Sequence, residues 1–210
     1  MSCPSDVAFM CALHLLVYMW HHRHEGIRFC ETTWGMRAHV DASNNPDLVD
    51  GKCQYGFIIY LGGPVIVKSS KLEHVGMNST YNEYQALTHC IKHIVWLRKV
   101  LLEMKLTMLC DHAVPVLADN AQANNLCRED IVTKGNMYFN VSYHYNKEQV
   151  AAGNVNVFYI RSQGNVSDTT TKALGPLKCD YFRHPLTGYD KRVYESNVYD
   201  KGDNLWDSIQ

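Results

Sequence analysis

The chain has 210 residues, enough for one domain of ordinary size with an appendage. Its composition, 46% hydrophobic and 20% charged, supports a packed core and excludes a disordered polar tract. A net charge of -1, with the 11 histidines neutral, excludes a global positive field that would by itself draw the protein to phosphate.

Residues 6–22 come first. Phe9, Ala12, Leu15, Leu16 and Met19 recur at helical spacing and predict an amphipathic helix with a buried face. Its apolar run, residues 7–20, is too short for a membrane span and is interrupted by His14. It also lacks the basic start and small-residue cleavage site of a signal peptide. His21, His22 and His24 close the helix; neighbouring positions point in different directions, so they read as a solvated end rather than a metal site.

From residue 37 the pattern becomes extended. Residues 37–43 form a short strand, and Asn44-Asn45-Pro46-Asp47 supplies turn chemistry. Residues 54–61 are rich in aromatic and β-branched side chains, Gly62-Gly63-Pro64 punctuates, and residues 65–68 return, which predicts a three-stranded antiparallel meander. A long helix follows to about Met104, with Ser79 or Thr80 as N-cap and Glu83 at capping-box spacing from Thr80. Leu87, Cys90, Ile91, Ile94, Val95, Leu101 and Leu102 make its buried stripe, and Tyr84 and Trp96 are assigned to the core. Residues 114–118 form a compact strand ending at Asp119-Asn120, residues 121–127 a short helix, and residues 139–152 a helix stopped at Gly153. Residues 155–160 form the fifth strand, and residues 167–174 a last helix broken by Gly175-Pro176. Beyond residue 181 the tail is polar and aromatic, and is expected to be extended or ordered by a partner. The sum is an α/β chain with a five-stranded mixed sheet flanked by helices.

The eight cysteines include no C-x-x-C pair, so no zinc knuckle or redox motif is written here. They read as reduced thiols of a cytoplasmic or nuclear protein in a reducing compartment. Asn78, Asn140 and Asn165 open glycosylation sequons, which matter only in a secreted chain.

Four acidic residues fall on four separate elements around one sheet. Asp41 lies on the first strand, Asp119 ends the fourth, Glu83 sits in the first turn of the long helix, and Asp168 opens the last helix. Singly, each is ordinary turn or helix-end chemistry. Converging, they repel one another unless cations intervene. Hard oxygen ligands without histidine or thiolate favour Mg2+ or Mn2+, and two such ions about 3.5–4 Å apart serve in-line phosphoryl displacement. The reading fails if the four point apart, or if any is buried against a Lys or Arg. Ser43, Asn44, Asn120 and Gln122 flank the group and are candidate hydrogen-bonding contacts to a substrate, against an ordinary reading as turn and cap residues. Lys68 and Lys71 are candidate phosphate contacts, more simply a solvated edge guard.

At these residues the sequence resembles the ribonuclease H domains of copia-type LTR retrotransposon polyproteins. The resemblance rests on blocks in order: Val40-Asp41-Ala42-Ser43; residues 55–64 with their Gly-rich turn; Lys68-Ser69-Ser70-Lys71; Ser79-Thr80-Tyr81-Asn82-Glu83-Tyr84; Trp96-Leu97-Arg98; Ala118-Asp119-Asn120; Tyr143-His144-Tyr145; and Ser167-Asp168 with Thr171-Lys172-Ala173-Leu174. The N-terminal helix and Gly26-Ile27-Arg28-Phe29 resemble the stretch joining reverse transcriptase to ribonuclease H. The blocks cover roughly residues 6–183.

The resemblance implies a ribonuclease H-like fold and Mg2+- or Mn2+-dependent endonucleolytic cleavage of the RNA strand of an RNA–DNA hybrid. It implies catalytic and metal-binding roles for Asp41, Glu83, Asp119 and Asp168, with two ions, the first three acids on one and the first and fourth on the other. It divides the chain into a connection segment (residues 1–30), a ribonuclease H-like domain (31–180) and a tail (181–210). A reverse transcriptase domain or a larger protein assembly is the implied partner. Departures are also visible: Met137-Tyr138-Phe139 stands where the family carries basic residues, Tyr81 where it carries an acid, and Gln163-Gly164-Asn165 offers no loop histidine. The alternative is a captured, non-catalytic domain serving as a structural or binding subunit. An integrase-type transesterase would need a different acidic triad and an upstream zinc-binding segment, and neither is written here.

Overall fold

The computed structural model describes residues 5–29, 35–76, 78–128 and 140–187. Cys3, Cys30, Met137, Tyr138, Phe139 and the tail from residue 188 onward lie outside the described residues. Five strands form one sheet: β1 (Met36–Ala42), β2 (Gln54–Leu61), β3 (Pro64–Lys71), β4 (Val114–Ala118) and β5 (Val155–Tyr159), in the order β3-β2-β1-β4-β5. The meander β1-β2-β3 is antiparallel, while β4 and β5 run parallel to β1. This is the mixed sheet of a ribonuclease H-like fold, as expected from the sequence.

Both faces of the sheet are covered, which is why β2 reads as a near-continuous apolar run. On one face, α2 (Ser79–Glu103) lays Leu87, Cys90, Ile91 and Ile94 against Val40, Phe57 and Val116. On the other, Ile58 and Tyr60 meet Val166 and Phe182, the latter from α6 (Pro176–Thr187). Between β4 and β5 run α3 (Ala121–Leu126) and α4 (Asn140–Ala151). A short helix, α5 (Asp168–Thr171), packs on β1 and β2.

Several expectations change. The first helix, α1 (Asp6–His21), forms with Ser5 as N-cap, but none of its residues is buried. Phe9, Leu16, Met19 and Trp20 stand in solvent, because α2 on one face and α5 with α6 on the other already cover the sheet. The segment after it does dock: the Arg28 amide donates to Thr187 O at 2.8 Å, and Arg183 pairs with Glu25 at 2.5 Å.

At the start of α2 the cap is Asn78, whose side chain accepts from the Tyr81 amide at 2.8 Å, rather than Ser79 or Thr80. Glu83 therefore has no capping role and turns to the sheet. Tyr84 is in the core as expected, but Trp96 is 57% exposed. The last predicted helix shortens to α5, and Pro176 begins a helix instead of stopping one, since proline at a first helical position loses no hydrogen bond. The chain is thus helical, not extended, through Thr187.

Cys53, Cys90, Cys110 and Cys127 are buried free thiols, while Cys11 and Cys179 are exposed. No described helix is long and apolar enough to cross a membrane.

Candidate active site

The sheet topology sets the acids. Val40 pairs with Ala118 in the parallel β1-β4 ladder, so one residue further on Asp41 stands beside Asp119 at the carboxyl ends of adjacent strands. Asp41 is paired across β2 with Gly56, and alternation turns its side chain to the face that α5 covers. A Cβ on Gly56 would come within 1.9 Å of Thr170 Oγ1 and 2.8 Å of Lys68 O. The missing side chain is what lets α5, and with it Asp168, approach β1. Asn165, fully buried, ties the preceding turn to the same strand through its amide to Val40 O at 2.9 Å.

The outcome is convergence. Carboxylate oxygens of Asp41, Asp119 and Asp168 lie within 4.8 Å of one another. Asp41 and Asp168 are almost wholly buried, and Asp119 is half-buried. Glu83 enters from α2 on the opposite face; it is 5% exposed and close enough to Asp41 and Asp119 for their charges to act on it. Three of the four predicted acids therefore meet at one end of the sheet, and Glu83 lies near Asp41 and Asp119 but outside that group.

Their electrostatic states differ. Burial first, then the charges of Asp41 and Asp119, push the Glu83 carboxyl up to about 9, against a hydrogen bond from the Ala42 amide. Its Oε2 is buried with no hydrogen-bond partner among the described residues. Asp41 is also raised by burial, opposed by the Thr171 hydroxyl that donates to it and by Lys172. The Lys172 ammonium lies 3.1 Å from Asp41 Oδ1 and 2.7 Å from Asp168 Oδ1, and Lys178 reaches Asp168 Oδ2 at 2.6 Å. The second of the two failing conditions set by the sequence is thus met: Asp41 and Asp168, both buried, rest against lysine. Both lysine side chains are 39% exposed, however, and neither contact touches Glu83. The donor set remains one of hard oxygens with an orphaned buried oxygen among them, and that fits a divalent cation.

Of the flanking candidates, Asn120 caps α3, accepting from the Ala123 amide at 3.0 Å. The Ser43 hydroxyl accepts from the Asn45 amide at 3.1 Å, which is turn chemistry. Gln122 accepts from Thr80 Oγ1 at 3.0 Å, linking α3 to α2, and Asn44 is exposed with its Oδ1 3.5 Å from Asn82 Nδ2. All four have local partners beside the acids. Lys71 is held by Asp47 and Asp50 at 2.6 and 2.9 Å, so it closes the β1-β2 loop as a surface ion-pair network. An open groove of about 580 Å³ runs alongside, lined by Ser43, Lys52, Gln54, Lys71, Thr171 and Lys172.

Sequence reasoning gave no role to Lys172, Lys178, Ser162 or Asn165. Ser162 donates to Asp119 Oδ2 at 2.7 Å. Only Lys172 had a readable signal, its spacing of four from Asp168.

No model of a known protein family matches the chain. Among curated proteins it is similar to retrovirus-related Pol polyproteins. It is 26% identical over 188 residues to that of transposon RE2 of Arabidopsis thaliana, covering 89% of this chain and 13% of the relative. To that of transposon RE1 of the same plant it is 26% identical over 177 residues, covering 83% and 12%. With that of transposon TNT 1-94 of Nicotiana tabacum, the identity is 26% over 140 residues, covering 66% and 10%. The chain therefore spans about an eighth of the length of the first two relatives. The likeness to transposon polyproteins seen in the motif blocks extends along most of the chain. Among solved structures, LC11-RNase H1 isolated from compost aligns at a TM-score of 0.49 and 16% identity, covering 66% of this chain and 94% of that one. The N-terminal RNase H domain of rv2228c from Mycobacterium tuberculosis aligns at 0.47 and 12%, covering 71% and 96%. The fold assignment stands on the strand order and register given above.

Proposed function

We propose that the chain is a metal-dependent endonuclease that cuts the RNA strand of an RNA–DNA hybrid, working as part of a longer retroelement-type polyprotein or assembly. The observation that carries this reading is Glu83: a carboxyl buried beside Asp41 and Asp119, with an oxygen that no group among the described residues satisfies. A buried acid of that kind is costly unless a ligand uses it. Asp41, Glu83, Asp119 and Asp168 would hold Mg2+ or Mn2+, two ions in the full site. Bound there, divalent ions supply charge that polarises a phosphate and lowers the pKa of an attacking water. The chain's own part is to fix the four carboxylates on rigid strand ends and helix starts, and to present Ser43, Asn44, Asn120 and Gln122 toward the 2′-hydroxyls of the strand to be cut. With a net charge of -1, grip on the duplex comes from local lysines such as Lys52 in the groove and from a partner. Residues 1–30 are the connection to a reverse transcriptase domain, the nuclease runs from about residue 31 through α6, whose Phe182 packs under Ile58 and Tyr60, and the tail beyond it is a segment for the wider assembly, in a reducing cytoplasmic or nuclear compartment.

The test is cleavage of an end-labelled hybrid. The unaltered protein cuts the RNA strand in Mg2+ or Mn2+, and Asp119→Asn abolishes the cutting. No cutting by the unaltered protein in either metal at high enzyme concentration overturns the proposal. The lysine contacts on Asp168 favour a second reading, a non-catalytic subunit whose acids are neutralised from within. Under it the protein co-purifies in a stable complex, and Mn2+ soaked into crystals gives no anomalous peak between the acids.

A further inference from the structure

Lys172 follows α5 directly, four residues after Asp168, so its stem doubles back over one helical turn. Its ammonium spans carboxylates from two elements, Asp41 on β1 and Asp168 on α5, at 3.1 and 2.7 Å. Both carboxylates are fixed and buried, whereas the lysine side chain is 39% exposed and can swing into water. On the other side of the site, the Ser162 hydroxyl is the partner of Asp119 among the described residues, and Glu83 Oε2 has none. Among the described residues, one side of the site carries its own cation and the other does not.

Resting on the nuclease reading, we infer that Lys172 is a built-in, displaceable cation that holds the place of a divalent ion between Asp41 and Asp168. An ion that uses Glu83, Asp119 and Asp41 meets the ammonium at Asp41 alone. An ion that uses Asp168 has to displace the ammonium from two carboxylates at once. The two ions therefore bind unequally, and Lys172 sets the difference. Of the described acids Lys178 pairs with Asp168 and does not bridge to Asp41, so it contributes less to this competition.

The experiment is calorimetric titration of Mn2+ into the metal-free chain, with bound ions counted by loss of the free Mn2+ spin-resonance signal. The unaltered protein takes one ion tightly and a second more weakly. Lys172→Met tightens the weaker site by about tenfold or more, the scale expected for removing one charge a few ångströms from a partly screened site. The tighter site tightens by a smaller factor, because the lysine touches one of its three acids but both acids of the weaker site. Lys172→Gln, which keeps a donor without the charge, gives the same result and serves where the methionine variant does not fold. Asp168→Asn removes the weaker ion. Two equal sites in the unaltered chain, or an unchanged weak site in both Lys172 variants, overturn the inference and leave the nuclease reading standing. Failure of every protein, the unaltered chain included, to bind Mn2+ overturns the nuclease reading itself.

Discussion

Glu83 and Asp168 reach the same strand ends from opposite faces of the sheet, one from the start of α2 and the other from the start of α5. Both are buried acids, yet their charges are handled in opposite ways. Glu83 keeps a proton to about pH 9, while Asp168 takes two ammonium groups. The difference follows from what each element offers. The first turn of α2 brings tyrosine and asparagine beside Glu83, whereas α5 and α6 each place a lysine within reach of Asp168. A buried carboxyl lowers its cost by taking a proton or a cation, and the neighbouring sequence decides which. The Glu83 side is therefore open to an external cation, and the Asp168 side is already occupied by an internal one.

The largest expected effect comes from removing the proton-held side. Glu83→Gln keeps the size and a neutral state but loses the anionic ligand. Hybrid cleavage then falls by about 100-fold or more, at or above the top of the range for changes in groups that only orient a metal ligand. The same variant gives a pH signature without metal. In the folded chain Glu83 holds its proton to about 9, against an ordinary value of 4.5 once unfolded. Between those values the folded state carries the extra proton, so this group's contribution is full below 4.5, declines as pH rises, and is lost through about 9. Urea melts in EDTA across that range show a steeper decline for the unaltered protein than for Glu83→Gln. Parallel profiles would break the contrast drawn between the two acids.

Gly56→Ala acts on the other side. The added methyl would meet Thr170 Oγ1 and the Lys68 carbonyl, and a backbone atom cannot swing away. The helix carrying Asp168 has to lift from β1 and β2. A loss of about 2 kcal/mol is expected, in the range for overpacking a close contact, measured as a fall in the urea midpoint with unchanged slope. Because Glu83 sits on the opposite face, its pH signature in EDTA persists in this variant, while the weaker Mn2+ site loses affinity. If both sides change together, the two faces are coupled and the comparison is wrong.

Much of this was legible in the sequence. The β-β-β-α-β-α-α-β-α order and the four acids follow from periodicity, turn residues and ordered motif blocks, because strand ends and helix starts are local features. What was not legible depends on the third dimension. The apolar side chains of α1 suggest burial, but spacing cannot say whether a second layer is there to receive them. Asn78, Ser79 and Thr80 are adjacent caps of similar quality, and backbone geometry selects Asn78. Pro176 after Gly175 reads as a stop, yet the same residue is a good first helical position. Trp96 falls near the apolar stripe of α2 but projects from its exposed edge. Lys172 was visible within a motif block, and its spacing of four from Asp168 hints at an ion pair. Its second contact, to Asp41 across 131 positions of chain, is a product of the fold alone.

Ser162 gives the smallest effect and the finest test. Its hydroxyl donates to Asp119 Oδ2 at 2.7 Å from the turn that precedes α5, so it joins the Asp168 side to the strand shared with Glu83's neighbour. The bond is exposed, and in Ser162→Ala water can take the place of the hydroxyl. A loss of about 0.5 kcal/mol is expected, the low end for an intramolecular hydrogen bond. Mn2+ affinity at the tighter site shifts by no more than about threefold, since Asp119 keeps its place at the end of β4 without help from the turn. A drop as large as that of Gly56→Ala would mean that Asp119 is positioned by the turn rather than by its strand. The two sides of the site would then be held by one device, and their opposite neutralisation would no longer mark them as independent.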